Sequence, residues 1–182
     1  APNSALLLGR AVSVPDFEAL AREFGGVINA HVEWAWDETS QGAVVKVWFI
    51  SDGGDIAKAL RAFLIGQADP NTPLVAEEAK AQPSQLIIDL EIDPRFNAQI
   101  IIEQVKQVLT NPDTGLLALE NIPIGCPLFR SRIFDAVLSV EGTRSVRAMT
   151  VDRQPAPFAI AVVQGWYRDF LDGLVIGSTV AP

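Results

Sequence analysis

Apolar positions along this chain repeat with two periods, and the switches between them mark its elements. Over residues 15–24, Phe17, Leu20, Ala21 and Phe24 fall on one face at helical spacing. Ser13 and Asp16 can cap that helix, and Pro15 is tolerated in its first turn. Gly25-Gly26 closes it, since glycine suits the left-handed residue that ends a helix. From 27 to 36 and from 43 to 50 the pattern alternates, with the polar turn Asp37-Glu38-Thr39-Ser40-Gln41-Gly42 between. These segments predict a hairpin. With Trp36 opposite Ala43, one face carries only Ile28, Ala30, Val32, Trp34, Trp36, Ala43, Val45, Val47 and Phe49. The other carries Asn29, His31, Glu33, Lys46 and Trp48 among others. A slip of one residue mixes the faces, so burial selects this register. One covered face and one wet face indicate an antiparallel sheet with helices on one side.

The opening phrase recurs. When Gly26 is aligned with Gly142, Phe17, Leu20, Ala21 and Phe24 fall on Ile133, Ala136, Val137 and Val140. Both copies run from a one-faced helix through glycine into a strand. The repeated unit builds a surface and carries no reactive group, which points to a scaffold protein.

The remaining pattern fills in around these copies. Asp52-Gly53-Gly54-Asp55 reads as a turn that also caps a helix with Ile56, Leu60, Phe63 and Leu64 on one side. Prolines at 70, 73 and 83 mark a loop, a brief strand at Leu74-Val75 and a linker. Leu86, Ile88, Leu90 and Ile92 then alternate with Asp89, Glu91 and Asp93 as a strand. Asp93-Pro94 is the expected start of a helix whose stripe is Ala98, Ile101, Ile102, Val105, Val108 and Leu109. A short strand is expected over 116–120, and a further strand over 145–151. Beyond Arg153 only Arg168, Asp169 and Asp172 are charged, so this segment reads as a final hairpin on a sheet edge or as a strip lying against a neighbouring subunit. The expected fold is α+β: two tandem small α/β two-layer modules, over 9–82 and 83–152, with helices on one face of mainly antiparallel sheets. An apolar C-terminal tail, 153–182, follows them.

Composition narrows the function. The 182 residues are 49% hydrophobic and 20% charged, which marks a globular chain. The mean hydropathy of +0.24 leaves apolar surface for a core or a subunit interface. A net charge of -8 opposes binding to a phosphate backbone. No apolar run is long enough to span a bilayer, and Ala5-Leu6-Leu7-Leu8 lacks the basic lead-in of a signal peptide. The chain opens at Ala1, which reads as a fragment of a longer protein or a processed start.

Reactive constellations are missing from the sequence. His31 is the only histidine and falls on the wet hairpin face, as a surface or interface residue. His31-Val32-Glu33 lacks the cysteine pair that a zinc deaminase needs. Cys126 is the only cysteine, so it forms no internal disulfide, and it has no nearby basic partner to activate it. Asp52 and Asp55 flank two glycines but lack the further ligands of a calcium loop. Gly53-Gly54 lacks the lysine of a phosphate loop. The expectation is no catalytic residue, no metal and no cofactor.

The ordered set of Ser13-x-x-Asp16-Phe17, Leu20-Ala21, Gly26-Val27-x-x-Ala30 and the Gly53-Gly54 turn is family-like. The Leu86–Ile92 strand follows with the helix over 101–109, then Ile124-Gly125, Ser131, Ile133, Val140-Glu141-Gly142 and Val146. Together these resemble the central and C-terminal part of the baseplate J-like proteins of contractile-tailed phages and related injection particles. The resemblance covers most of residues 10–152, with Thr143 standing where the family often has Val. It implies a structural wedge subunit of a virion baseplate, made in the bacterial host cytoplasm. Its partners would be other baseplate or tail proteins and copies of itself, with no nucleic acid, membrane insertion or small-molecule substrate. The expected contact residues are His31 and Trp48 on the open hairpin face, and Trp166, Tyr167 and Phe170 in the tail. The alternative, from the tandem helix-over-sheet pattern, is a small-ligand-binding or regulatory domain with an apolar pocket.

Overall fold

The computed structural model describes residues 11 and 13–180, so the apolar run at 5–8 and the first positions of the expected 9–82 module lie outside the described residues. The chain divides into two compact units, residues 1–80 and 81–182.

Unit 1 begins with α1 (Val14–Glu23). Its capping box forms as expected: the Ser13 N–H donates to Asp16 Oδ2 (2.9 Å) and the Asp16 N–H donates to Ser13 Oγ (3.4 Å). After Gly26, β1 (Val27–Asp37) and β2 (Gly42–Ser51) form an antiparallel hairpin with Trp36 opposite Ala43, the register that burial selects. Next come α2 (Ala57–Gln67) and β3 (Leu74–Glu78), and β3 pairs in parallel with β2. The sheet order is β1-β2-β3. Its core joins Phe17, Leu20 and Ala21 of α1 to Ala30, Val32, Val45, Val47 and Phe49 of the hairpin and to Leu60 and Leu64 of α2. The glycine turn does not cap α2 with an aspartate: Ile56 occupies that position without a side-chain bond.

The expected wet face of the hairpin is not wet. Asn29, Val44, Trp48 and Ile50 are all buried, and β2 is covered on both sides over Val47 to Ile50. Conversely, the apolar face is not wholly covered, because Trp34 and Trp36 are 57% and 64% exposed. Length explains this. A ten-residue helix spans about 15 Å, whereas an eleven-residue strand spans about 36 Å. The hairpin outruns its helix.

In unit 2, β4 (Lys80–Pro83) leads to β5 (Leu86–Ile92), whose alternate residues Leu86, Ile88, Leu90 and Ile92 are fully buried. Then come α3 (Ala98–Thr110), β6 (Leu128–Phe129), α4 (Arg130–Leu138), β7 (Thr143–Val151) and β8 (Gln154–Pro155). β9 (Ala159–Ile160), β10 (Trp166–Asp169) and β11 (Leu174–Val180) complete the unit. The main sheet runs β11-β5-β7-β8, and two-stranded pairs form from β10 with β4 and from β6 with β9. Three expectations change here, for the tail, for residues 116–120 and for the start of α3. The segment after 153 does not close as a terminal hairpin: β11 lies parallel to β5 and extends its sheet. Each main sheet is therefore mixed, with one parallel pair. Residues 116–120 form turns instead of a strand. The α3 cap is Asn97, whose Oδ1 accepts from the N–H groups of Gln99 (3.0 Å) and Ile100 (3.4 Å). Asp93 is engaged elsewhere, as described below.

The repeated phrase is a structural repeat. Gly26 and Gly142 adopt φ +90° and +96°, in the range that favours glycine. Phe24 donates to the Ala21 carbonyl and Val140 to the Val137 carbonyl, both at 3.3 Å. Val27 donates to Phe24 and Thr143 to Val140, both at 3.1 Å. A bulge follows at the same place in each copy: Ile28 and Arg144 are the extra residues, two beyond the glycine. Each glycine carbonyl accepts from the residue just after the paired strand, Asp52 (3.1 Å) and Asp93 (2.9 Å). The equivalence extends to the sheets. Unit 1 sets β1 antiparallel and β3 parallel to the central β2, and unit 2 sets β7 antiparallel and β11 parallel to the central β5. In unit 1, α1 packs on β1 and α2 on β3; in unit 2, α4 packs on β7 and α3 on β11. The chain order differs, and unit 2 adds β8 beyond β7.

Candidate functional site

Of the residues expected to make contacts, three are buried. Trp48 is 4% exposed, Tyr167 8% and Phe170 0%. Trp48 sits under a polar lid. The His31 ring stacks on it at 6.4 Å and 11°. Lys46 Nζ lies 5.5 Å from the indole centre and pairs with Glu77 at 3.2 Å. Long polar side chains here cover an indole with their apolar bodies. His31 and Trp166 are half-buried, so the structure does not gather the five residues into one exposed patch.

His31 joins β1 to α1. Its Nδ1 faces Glu18 Oε2 at 3.7 Å and its Nε2 faces Glu33 Oε2 at 3.9 Å. Arg22 bridges from α1 as well, to Glu18 at 3.2 Å and to the Ala30 carbonyl at 3.1 Å. Polar contact with Glu18 raises the His31 pKa above its ordinary value against the opposing effect of burial, and the Glu18 and Glu33 charges add to the rise. Glu18 is lowered in turn, first by His31 and then by Arg22. The arrangement ties a helix to a strand. The imidazole is held between two carboxylates, one from α1 and one from its own strand.

Asp93 is the corresponding polar knot of unit 2. Its carboxylate accepts from the Arg95 backbone N–H (3.0 Å), from Arg95 Nε and Nη2 (3.1 and 2.8 Å) and from Arg144 Nη2 (3.4 Å). The Arg95 hydrogen bonds hold its pKa well below the usual carboxylate range, with the Arg95 and Arg144 charges adding. This fork of donors uses Asp93 in a turn, which is why the helix starts four residues later at its own cap.

A second acidic group lines a cleft of unit 2 with Ser84, Asp152, Asp169 and Asp172. Two of its carboxylates are already engaged. Asp152 accepts from the Gln85 N–H (2.9 Å) and from Arg168 Nη1 (2.6 Å), and Asp169 accepts from the Leu171 N–H (3.1 Å). Among the described residues no three His, Cys, Asp or Glu are grouped to hold a metal ion. Cys126 is half-buried. No helix among the described residues is long and apolar enough to cross a membrane.

The most exposed aromatics are ones that the alternation pattern assigned to the covered face, Trp34 and Trp36, together with Phe158, which packs its ring 5.7 Å from Phe129. The unequal lengths of helix and hairpin were the available signal for the two tryptophans.

Residues 9–77 match the family model described as the Baseplate J-like central domain. Among solved structures, a chain from the cryo-EM structure of the anti-feeding prophage (AFP) baseplate, 6-fold symmetrised, aligns over 90% of this chain with a TM-score of 0.58. Identity is 10%, so that likeness is one of fold, and the alignment covers 38% of that longer chain. No curated protein matches the sequence. Residues 9–77 of this chain are thus similar to a baseplate J-like central domain, and the whole chain shares its fold with part of a prophage baseplate chain.

Proposed function

We propose that this chain is a structural subunit of a phage or prophage contractile-tail baseplate and acts by assembling with its neighbours. The match of residues 9–77 to the baseplate J-like central domain carries the reading. The fold shared with a prophage baseplate chain supports it. The working principle is burial of apolar surface between rigid units, with geometry fixed by the sheets. The partners are other baseplate and tail proteins and copies of the chain itself, in a virion baseplate built from subunits made in the host cytoplasm. We assign it no catalytic step, small-molecule substrate, nucleic-acid contact or membrane insertion. The contacts belong to Trp34 and Trp36 at the hairpin end, with the half-buried His31 and Trp166. Trp48, Tyr167 and Phe170 serve internal packing.

The test is electron microscopy of contractile particles produced with and without the gene for this chain, with a tagged copy to locate it. The expected result is a tag at the baseplate end, and particles without a completed baseplate when the chain is missing. Normal particles in its absence would end this reading.

A further inference from the structure

Sheet edges differ in how they are protected. The outer edge of unit 1 at β1 carries His31, Glu33 and Asp37, and its other edge, β3, carries Glu77 and Glu78. The β8 edge of unit 2 is two residues long and includes Pro155. Charges, proline and short length are the usual devices against edge pairing. The β11 edge has none of them. Leu174-Val175-Ile176-Gly177-Ser178-Thr179-Val180 contains no charge and no proline, and its register with β5 runs without a bulge from Leu174 to Val180.

The backbone directions follow from one hydrogen bond. The Leu86 N–H donates to the Gly173 carbonyl (3.0 Å), so the backbone groups of residues 173, 175, 177 and 179 point toward β5. Those of Leu174, Ile176, Ser178 and Val180 therefore point away from the sheet. These four residues lie symmetrically about Gly177, at one and three positions on either side. A second copy of the strand, antiparallel and related by a two-fold axis at Gly177, satisfies all of them. Leu174 then meets Val180 of the copy, and Ile176 meets Ser178, as hydrogen-bonded pairs. Gly177 meets itself at the close non-hydrogen-bonded position, where its missing side chain leaves no contact to clash across the axis. No charged residue is placed opposite another within the strand.

We propose that the β11 edge pairs with the β11 edge of a second copy of this chain, joining two four-stranded sheets into one of eight strands. This deepens the assembly reading by naming one partner and one surface, and it stands or falls separately from the baseplate location. The occupant is a second copy because the edge is uncharged and its one glycine, Gly177, lies at the centre of the strand, where two antiparallel copies cross. The acidic neighbours do not prevent it. Asp89 on β5 lies three strand spacings from its symmetry mate, about 14 Å, beyond the screening length of roughly 8 Å in physiological salt.

The test is sedimentation velocity and native mass spectrometry of the 182-residue chain across a concentration series. The expected result is a reversible dimer that tightens as salt screens the net charge of -8 on each chain. Two double variants probe the register through exposed side chains, because residue 175 faces residue 179 of the copy. Val175→Lys with Thr179→Lys sets two like-charge pairs across the axis and should weaken the dimer about tenfold. Val175→Glu with Thr179→Lys sets two opposite-charge pairs there, keeps the same lysine beside Glu91 of β5 as the first variant, and should preserve it. Circular dichroism of both variants checks that each remains folded. A chain that is monomeric throughout overturns the proposal, as does a dimer that responds identically to the two variants. A monomeric chain that still enters particles would leave the assembly reading intact and remove only this contact.

Discussion

Unit 1 and unit 2 share one three-stranded arrangement with its segments in different order. Unit 1 runs helix–strand first and its paired strand second, through a hairpin. Unit 2 places the paired strand β5 and its helix α3 first, then brings α4 and β7 back to them. The glycine conformation, the two capping bonds and the bulge survive this exchange unchanged. Local chemistry therefore specifies the helix–glycine–strand phrase, while burial specifies where it docks. The connection between them is free to vary. What differs is the reinforcement around the phrase. Position 28 is Ile in unit 1, and the equivalent Arg144 in unit 2 reaches Asp93 at 3.4 Å. Unit 2 also needs residues from beyond 153 to complete its sheet, whereas the sheet of unit 1 is complete by Glu78.

That last contrast has the largest expected effect. Phe170 is fully buried, so Phe170→Ala should destabilise unit 2 by about 3–5 kcal/mol. Unit 1 should be nearly unaffected. Urea unfolding followed by hydrogen exchange resolves the two units. Equal loss of protection in both, or none in unit 2, would break the comparison.

The glycines sharpen it next. A Cβ on Gly142 would lie 2.8 Å from Phe96 Cγ and 2.9 Å from Ile101 Cδ1, whereas on Gly26 its nearest contact is Asp52 Oδ1 at 3.3 Å. Both substitutions strain a positive φ, at about 1–2 kcal/mol. Gly142→Ala adds overpacking and should cost about 3 kcal/mol in total, against about 1 kcal/mol for Gly26→Ala. The same urea experiment ranks them.

Thr143 gives a smaller effect of opposite sign. It occupies the position of Val27, and its hydroxyl is buried without a hydrogen-bond partner. Thr143→Val should stabilise unit 2 by about 1 kcal/mol, because a buried unsatisfied group is removed at constant shape. A fall in melting temperature would mean that the hydroxyl has a role the scaffold argument omits.

The legible parts of this fold were those set by local chemistry and by alternation. Ser13 and Asp16 announced their capping box, and the paired-face argument located Trp36 opposite Ala43. The Gly26–Gly142 alignment found the repeat. Long-range pairing was not legible: nothing in Leu174–Val180 names Leu86–Ile92 as its neighbour, and a parallel pair leaves no turn signature. Nor did Asp93-Pro94 reveal that two arginines, one of them 51 residues away, would draw the aspartate out of a helix cap. For the candidate contacts, the period of the strand told which residues share a face. It carries no information on where the helices stop, and so it assigns Trp34 and Trp36 to the covered face and Trp48 to the open one, the reverse of their exposure.

The smallest effect separates the units by pH. Phe134 takes the place of Glu18 in unit 2, and Ala148 takes the pairing position of His31 beyond a second bulge at Arg147, so the histidine linkage belongs to unit 1 alone. The folded-state pKa of His31 is raised, so its contribution is fully present below the unfolded value of about 6.5. It disappears as pH rises through the higher folded value. The folded-state pKa of Glu18 is lowered, so its contribution is present above about 4.3 and is lost as pH falls through the lower folded value. This pair should therefore stabilise unit 1 most between those two unfolded values, by about 0.5 kcal/mol for a partly exposed ion pair. His31→Gln should remove the decline on the alkaline side, and Glu18→Gln should flatten both sides. Hydrogen exchange of β1 amides in each variant across that pH range reads the effect, after correction for intrinsic exchange. A wild-type slope that persists in His31→Gln would assign the pH response to another group.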